Sequence, residues 1–343
     1  MLYYSYLLLA FSVIFSCNSL NIFGPNCVLP SLICPNENIT FWLYTRQNAH
    51  APVEIKAKDS IDSAPWVKGA PIKILIHGYT GHKDFAPNTE IRPAYLECCD
   101  YNIISVDYNK IALEPCYMHA AANTELVGMC TAQLIDGLVS QGVPLEDFHV
   151  VGFSLGAQTA GFIAKYLKSG LLERITALDP ALPLFVTTDP GKKVDSSDAK
   201  FVDILHTNAL ERGKFETSGH VDFFANGGLW QPGCTANENY TKSGCYHARA
   251  PQYYAESIIS DIGFYATKCS SWLSHMIGWC KLTSSGEEVI FGEHVPTNAT
   301  GIYFFDTNSE APFARGPSNS NKTGEENEVM TGVLSAISSL FSG

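Results

Sequence analysis

A serine with glycines two residues to either side, Gly152-Phe153-Ser154-Leu155-Gly156, lies in the stretch HVVGFSLGAQTAGF (His149–Phe162). The chemistry open to it is nucleophilic. A hydroxyl too weak to attack a carbonyl at neutral pH does so once a histidine, held by a carboxylate, removes its proton. The competing use is that of a small residue in an ordinary strand-to-helix turn. A carboxylate candidate follows at Asp179 in RITALDP, where Pro180 stops the strand behind it, although Asp-Pro also makes simple turns. In the chain order serine, acid, histidine, the candidates for the base are His206, His220, His247, His275 and His294. His206 ends an apolar segment and His220 precedes an aromatic one, so either also fits as a satisfied core histidine. His247 lies in GCYHARAPQYYAESI, after a cysteine and before a helix candidate, where a disulfide would fix a loop histidine. Residue chemistry narrows this choice without making it.

A nucleophilic serine needs a strand, a tight turn and a helix around it. The apolar run Phe148–Val151 precedes Ser154, and Ala160, Ile163, Ala164 and Leu167 follow at helical spacing. Further apolar strand candidates are Ile72–Ile76, Ile103–Val106, Ile175–Leu178 and Phe201–Leu205. Helices are predicted over about 120–140 and 155–168; in the first, Leu126, Cys130, Leu134 and Leu138 share one face. Strands apolar throughout, alternating with helices, predict an α/β fold with a sheet covered on both faces. Asp179 then falls at the C-terminal edge of the sheet, one strand-helix-strand unit after Ser154.

Composition bounds the setting. The chain has 343 residues, is 46% hydrophobic and 16% charged, and can bury a sizeable core. A net charge of −12 without a basic block argues against nucleic acid as a partner and against electrostatic capture by anionic lipid. Residues 1–19 (MLYYSYLLLAFSVIFSCNS) read as a signal peptide cleaved near Ser19; with no Lys or Arg before the apolar core, a signal anchor is the alternative. Cleavage removes Cys17 and leaves an even number of cysteines, and sequons stand at Asn38, Asn239, Asn298 and Asn321. Together these predict a secreted, disulfide-bonded glycoprotein. The main domain is expected over 20–316, and residues 317–343 form a polar tail whose apolar end is too short to span a bilayer. The sequence contains no metal-ligand spacing and no phosphate-cradling glycine loop, and no metal or other cofactor is expected.

The segments ILIHGYTG, VGFSLGAQTAGF, ITALDPALPLF, SDAKFVDILHT, GHVDFFANGGLWQPGC and CYHARAPQYYAESI resemble, in order, those of the pancreatic lipase family of secreted lipases and phospholipases A1. The resemblance implies an α/β-hydrolase fold: a mostly parallel central sheet flanked by helices. It implies Ser154 as nucleophile, Asp179 as orienting carboxylate and His247 as general base and acid. It also implies the backbone N–H groups of Tyr79 and Leu155 as the oxyanion hole, which agrees with the mechanics, since Leu155 follows the nucleophile. Departures are small: Phe153 stands where the family often has His, Tyr79 where it often has Phe, and Val106-Asp107-Tyr108 replaces the commoner VDW. They bear on substrate fit rather than on triad atoms. No C-terminal β-sandwich domain is expected, and so no colipase-type partner.

The implied reaction is acyl transfer on a phospholipid or glyceride at a lipid-water interface. The lid that the resemblance implies, closed by Cys234 and Cys245, is short and polar here (CTANENYTKSGC), as is the segment TNALERGKFETSG between His206 and His220. Short polar covers resemble the phospholipase A1 branch, including insect venom enzymes, so release of the sn-1 acyl chain is expected. A neutral triacylglycerol lipase is the alternative, and a non-catalytic lipid-binding or storage protein is the alternative of another class. Proximity and resemblance pair Cys269 with Cys280. The remaining six cysteines stay unassigned, except that Cys98 and Cys99, being adjacent, are not expected to bond each other. In CSSWLSHMIGWC (Cys269–Cys280) the helical spacing of Trp272, Met276 and Trp279 favours core packing over a surface anchor.

Overall fold

The computed structural model describes residues 27–317 except 30, 60, 237–240 and 281–286. The expected signal segment, the sequons at Asn239 and Asn321 and all of the expected tail but Pro317 lie outside the described residues.

The segments that are apolar throughout become the middle of one sheet. These are β3 (Ile72–Ile76), β4 (Asn102–Asp107), β5 (Phe148–Phe153), β6 (Leu172–Leu178) and β7 (Ala199–His206). Around them stand β1 (Thr40–Tyr44), β2 (Val53–Ile55), β8 (Val221–Ala225), β9 (Phe264–Cys269), β10 (Glu288–Phe291) and β11 (Gly301–Phe305). The strand order is β10-β9-β11-β8-β7-β6-β5-β3-β4-β1-β2. The stretch from β11 to β4 is parallel, and the antiparallel pairings are confined to β9, β10, β1 and β2 at the two edges.

Helices cover both faces, as buried parallel strands require. Val202 and Ile204 of β7 face a core shared with α2 (Tyr117–Ser140) and α3 (Leu155–Tyr166). Phe201 and Leu205, one residue out of phase, face the opposite core with α1 (Asn88–Cys98) and α4 (Lys242–Ile259). This is the expected α/β-hydrolase architecture.

A buried ionic cluster fastens α1 and α4 to the sheet. Lys73 of β3 lies 2.5 Å from Glu293, and Arg174 of β6 forks onto both oxygens of Asp203 at 2.8 and 3.1 Å. Tyr95 of α1 and Tyr254 of α4 both donate to the second Glu293 oxygen, at 2.7 and 2.6 Å. Burial pulls the Lys73 ammonium below its ordinary value. Burial also acts to push the Glu293 carboxyl up, but Lys73 and Arg174 beside it win and hold it below the usual carboxylate range.

Among the described residues five disulfides are formed. Cys27–Cys116 and Cys34–Cys130 clamp the N-terminal segment onto α2, and Cys234–Cys245 and Cys269–Cys280 pair as expected. Cys98 and Cys99 are joined to each other, against the expectation from their adjacency. Helix α1 ends between them: Cys98 is its last residue, and Cys99 leaves in extended backbone (φ −148°, ψ 162°). The other cysteines of the described residues are all committed elsewhere.

The loop closed by Cys269–Cys280 carries the short helix α5 (Trp272–Met276) and also corrects an expectation. Of its large apolar residues Trp272 turns inward, its indole N–H donating to the Gly227 carbonyl at 2.9 Å and its ring set edge-on to Phe215. Leu273, Met276, Ile277 and Trp279 stay exposed, because five helical residues offer one side to the sheet and no more.

Candidate active site

The three side chains expected to do chemistry gather at the C-terminal edge of the sheet, two of them at the ends of neighbouring strands. Ser154 follows β5 and caps α3, Asp179 follows β6, and His247 lies on α4, whose first residues pack beside the end of β7. Helix α4 starts at Lys242, earlier than expected, so His247 is a helical residue rather than a loop one. The Thr241 hydroxyl caps that start by accepting from the Gly244 N–H at 3.0 Å.

Ser154 occupies φ 58°, ψ −119°, a conformation that costs an L-residue strain and persists only where its surroundings hold it. Its N–H donates to the Leu178 carbonyl and its own carbonyl accepts from Ala181, both in the β6 exit. Gly156 is what lets α3 begin this close to the sheet. A Cβ there would lie 2.2 Å from the Ile76 carbonyl oxygen. The flanking glycines of the motif thus have a packing cause.

Asp179 and His247 form the tightest polar contact of the site. The fully buried carboxylate places Oδ2 2.5 Å from His247 Nδ1. Its other oxygen, Oδ1, accepts the backbone N–H groups of Thr207 and Asn208 at 2.8 and 3.1 Å. With both oxygens committed as acceptors, Nδ1 is the protonated ring nitrogen and Nε2 is left with a free lone pair. The His247 ring packs against Phe153, one residue before Ser154, with centroids 4.5 Å apart. That contact joins the histidine to the strand that delivers the serine.

The other four histidines are occupied or distant. His206 is buried between the Lys214 carbonyl (2.7 Å) and Asp222 (2.9 Å). His220 accepts the Val202 N–H at 3.0 Å. His275 stacks on Phe304, and His294 is exposed beyond β10.

The two expected oxyanion donors flank Ser154. Leu155 is the first residue of α3, where a backbone N–H has no intrahelical acceptor. Tyr79 lies in the turn after β3, next to Gly78, whose missing Cβ would stand 2.8 Å from the Ser154 Cβ. The Tyr79 ring leans edge-on against Tyr117, with centroids 5.1 Å apart. His77 anchors this turn from inside the protein. Its Nδ1–H donates to the Gly78 carbonyl at 2.7 Å, and its Nε2 accepts the Tyr108 N–H at 3.2 Å. Burial lowers the His77 imidazole to about 4, so it is neutral and keeps this pattern across the working pH range.

Several contributors carried no signature in the sequence. Thr207 and Asn208 act through backbone N–H groups, which any residue but proline supplies. Gly213 of the 207–220 cover lies against Asp179. Phe153, noted as a departure from the family, forms the wall behind His247. Of the expected glycosylation sites, Asn298 is exposed and Asn38 is half-buried ahead of β1. Among the described residues, no group of three or more His, Cys, Asp or Glu is arranged to hold a metal ion. No described helix is long and apolar enough to cross a membrane.

A family model described as Lipase matches residues 31–313. Lipase member H-A of Xenopus laevis is 36% identical over 256 residues, covering 73% of this chain and 55% of that protein. Pancreatic lipase-related protein 3 of Homo sapiens is 34% identical over 309 residues (81% and 65%). Pancreatic triacylglycerol lipase of Cavia porcellus is 33% identical over 271 residues (73% and 58%). The chain thus spans a little over half to about two-thirds of the length of these relatives. Among solved structures, a phospholipase/carboxylesterase from Dyadobacter fermentans overlaps 66% of this chain and 84% of its own, with a TM-score of 0.32 at 12% identity. The family match over most of the described chain, on a sheet of this order, makes the protein a member of the pancreatic-type lipase family.

Proposed function

We propose that this chain is a secreted serine hydrolase of lipid carboxylic esters, with its catalytic domain over residues 20–316. The observation that carries the reading is the Asp179–His247 contact of 2.5 Å beside a serine in a strained turn. In the first step Ser154 Oγ attacks the ester carbonyl carbon while His247 Nε2 takes its proton. Negative charge gathers on the former carbonyl oxygen, which the Tyr79 and Leu155 N–H groups receive. The tetrahedral intermediate then expels the alcohol, to which Nε2 returns the proton, leaving an acyl-serine. Water repeats the sequence, releasing the fatty acid and restoring Ser154. Asp179 keeps the imidazole in the tautomer that frees Nε2 and stabilises the imidazolium that forms in each half.

For the substrate we propose a phospholipid cleaved at its sn-1 ester. Both covers over the site are short and polar in sequence, which admits a charged headgroup more readily than a broad apolar lid would. Exposed Leu184, Val186 and Leu210 nearby offer apolar contact to the acyl chain. The five disulfides support an extracellular setting.

The test is product analysis with wild type and Ser154→Ala. Each receives phosphatidylcholine bearing distinct sn-1 and sn-2 chains and, separately, a long-chain triglyceride. Release of the sn-1 chain by wild type alone is the expected result. Ser154-dependent turnover of triglyceride only would move the substrate to neutral glycerides. No Ser154-dependent hydrolysis of either, or of a short soluble ester, would make the protein a lipid binder.

A further inference from the structure

The turn carrying Tyr79 and the helix start carrying Leu155 belong to separate elements, so something must set the distance between two donors that act on one oxygen. Tyr108, the first residue after β4, lies between them and is completely buried. It meets His77 of the turn at three points. Its N–H reaches His77 Nε2 at 3.2 Å, its ring stacks on the imidazole (centroids 4.0 Å apart, planes within 8°), and its hydroxyl donates to the His77 carbonyl at 2.5 Å. The same phenol also lies beside the side chain of Thr159 on α3. Thr159 stands one helical turn beyond Leu155, and its hydroxyl donates to the Leu155 carbonyl at 3.0 Å. The His77 carbonyl lies in turn against Gly156, where a Cβ would come within 2.5 Å of it. One phenol therefore touches both halves of the oxyanion hole from behind.

Resting on the hydrolase reading above, we propose that Tyr108 is a positioning residue whose hydroxyl sets the spacing between the Tyr79 and Leu155 N–H donors. A phenylalanine there keeps the stack and the backbone bond but leaves the His77 carbonyl without its hydroxyl partner, so the turn is free to settle away from α3. The charge that develops on the oxyanion is then met at the wrong distance, while ground-state binding of the ester is little changed. Loss falls on kcat and on acylation, not on KM.

The experiment compares wild type, Tyr108→Phe, Thr159→Val and Tyr44→Phe. Tyr44 is a buried tyrosine of β1 whose hydroxyl bonds Asp84 instead. Each is assayed for kcat and KM on p-nitrophenyl butyrate and for the rate at which diethyl p-nitrophenyl phosphate modifies Ser154. In that reaction Ser154 Oγ bonds to phosphorus, p-nitrophenolate leaves, and the phosphoryl oxygen occupies the oxyanion position. Thermal melts follow stability in parallel. The expected result is a fall of about tenfold in kcat and in the phosphorylation rate for Tyr108→Phe, with KM within twofold, a smaller fall for Thr159→Val, and an unchanged kcat for Tyr44→Phe even where its melting point drops. Wild-type rates in Tyr108→Phe, or an equal kcat loss in Tyr44→Phe, overturn the positioning role while leaving the hydrolase reading intact. Should Tyr108→Phe fail to fold, Thr159→Val decides, and wild-type rates there overturn the role. A wild type that neither hydrolyses the ester nor reacts with the phosphate triester overturns the hydrolase reading, and the positioning role with it.

Discussion

Replacing Gly213 by alanine probes the proposed triad without substituting any of its residues. Gly213 lies in the cover between β7 and β8, bridged to Ala181 and Ala209, and its N–H donates to the Asn208 carbonyl at 3.0 Å. A Cβ at this position would stand 2.3 Å from Asp179 Oδ1, 2.6 Å from its Cγ and 2.7 Å from its Oδ2. Ordinary carbon–oxygen contact needs about 1 Å more than the shortest of these, so either the loop or the carboxylate must yield by roughly that amount. The loop is held by its bridges and by the Lys214 N–H bond to the Pro180 carbonyl at 2.8 Å. The carboxylate is held by His247 and two backbone N–H groups. A shift of about 1 Å in a group that orients the base costs on the order of 100-fold in rate, or about 2.7 kcal/mol. We therefore expect Gly213→Ala to lower kcat on p-nitrophenyl butyrate by about 100-fold with KM little changed. Gly227→Ala serves as the contrast: Gly227 has φ +78° and open space around its missing Cβ, so that change costs roughly 1 kcal/mol of stability. Steady-state kinetics and a thermal melt on both variants decide. A Gly213→Ala enzyme within threefold of wild-type kcat would mean that the cover gives way and does not press on Asp179.

Three further outcomes follow from other parts of the molecule. Asp179→Asn keeps the shape of the acid but presents an amide to Nδ1, favouring the tautomer with its proton on Nε2; kcat should fall by about 10⁴-fold in the same assay. Asp198 carries a pH dependence: burial, reinforced by the neighbouring charge of Asp195, raises its carboxyl to about 7. The folded protein then holds a proton that the unfolded chain releases near pH 4, so this group's stability is fully present below pH 4 and is lost as pH rises toward 7. The loss is about 4 kcal/mol in all, and urea melts of wild type and Asp198→Asn between pH 4 and 8 in EDTA should show the asparagine variant nearly free of that slope. Glu293→Ala removes the shared partner of Lys73, Tyr95 and Tyr254, leaving a buried ammonium unpaired; urea unfolding should register a loss of about 3–5 kcal/mol.

What the sequence disclosed, and what it withheld, follows from how each feature is encoded. The five central strands are legible because burial on both faces demands apolar residues throughout, and the observed strands extend the predicted ones by only a few residues. Ser154 is legible because the glycines around it answer a steric demand that no other residue meets. The start of α4 is less so: Lys242–Ile259 contains Gly244 and Pro251 and mixes polar with apolar residues, so its helical character depends on packing against α1 and the sheet. The Cys269–Cys280 loop misled because helical spacing marks a shared face without saying whether anything covers it. The carboxylate's partners are the hardest class. Thr207 and Asn208 contribute peptide N–H groups, and Gly213 contributes an absence.

That last class accounts for how the site is held. Asp179 orients His247, yet the carboxylate is itself oriented by peptide groups at the end of β7 and by a glycine on the returning cover. The proposed oxyanion donors are peptide groups as well, with His77 and Tyr108 packed behind one and the start of α3 supplying the other. The side chains of the proposed triad point to the chemistry, but the geometry that would make it possible lies in the backbone around strands β3, β5, β6 and β7. On this reading, substitutions at a tyrosine buried behind the turn and at a glycine facing a carboxylate each change the rate although no residue of the proposed triad is replaced.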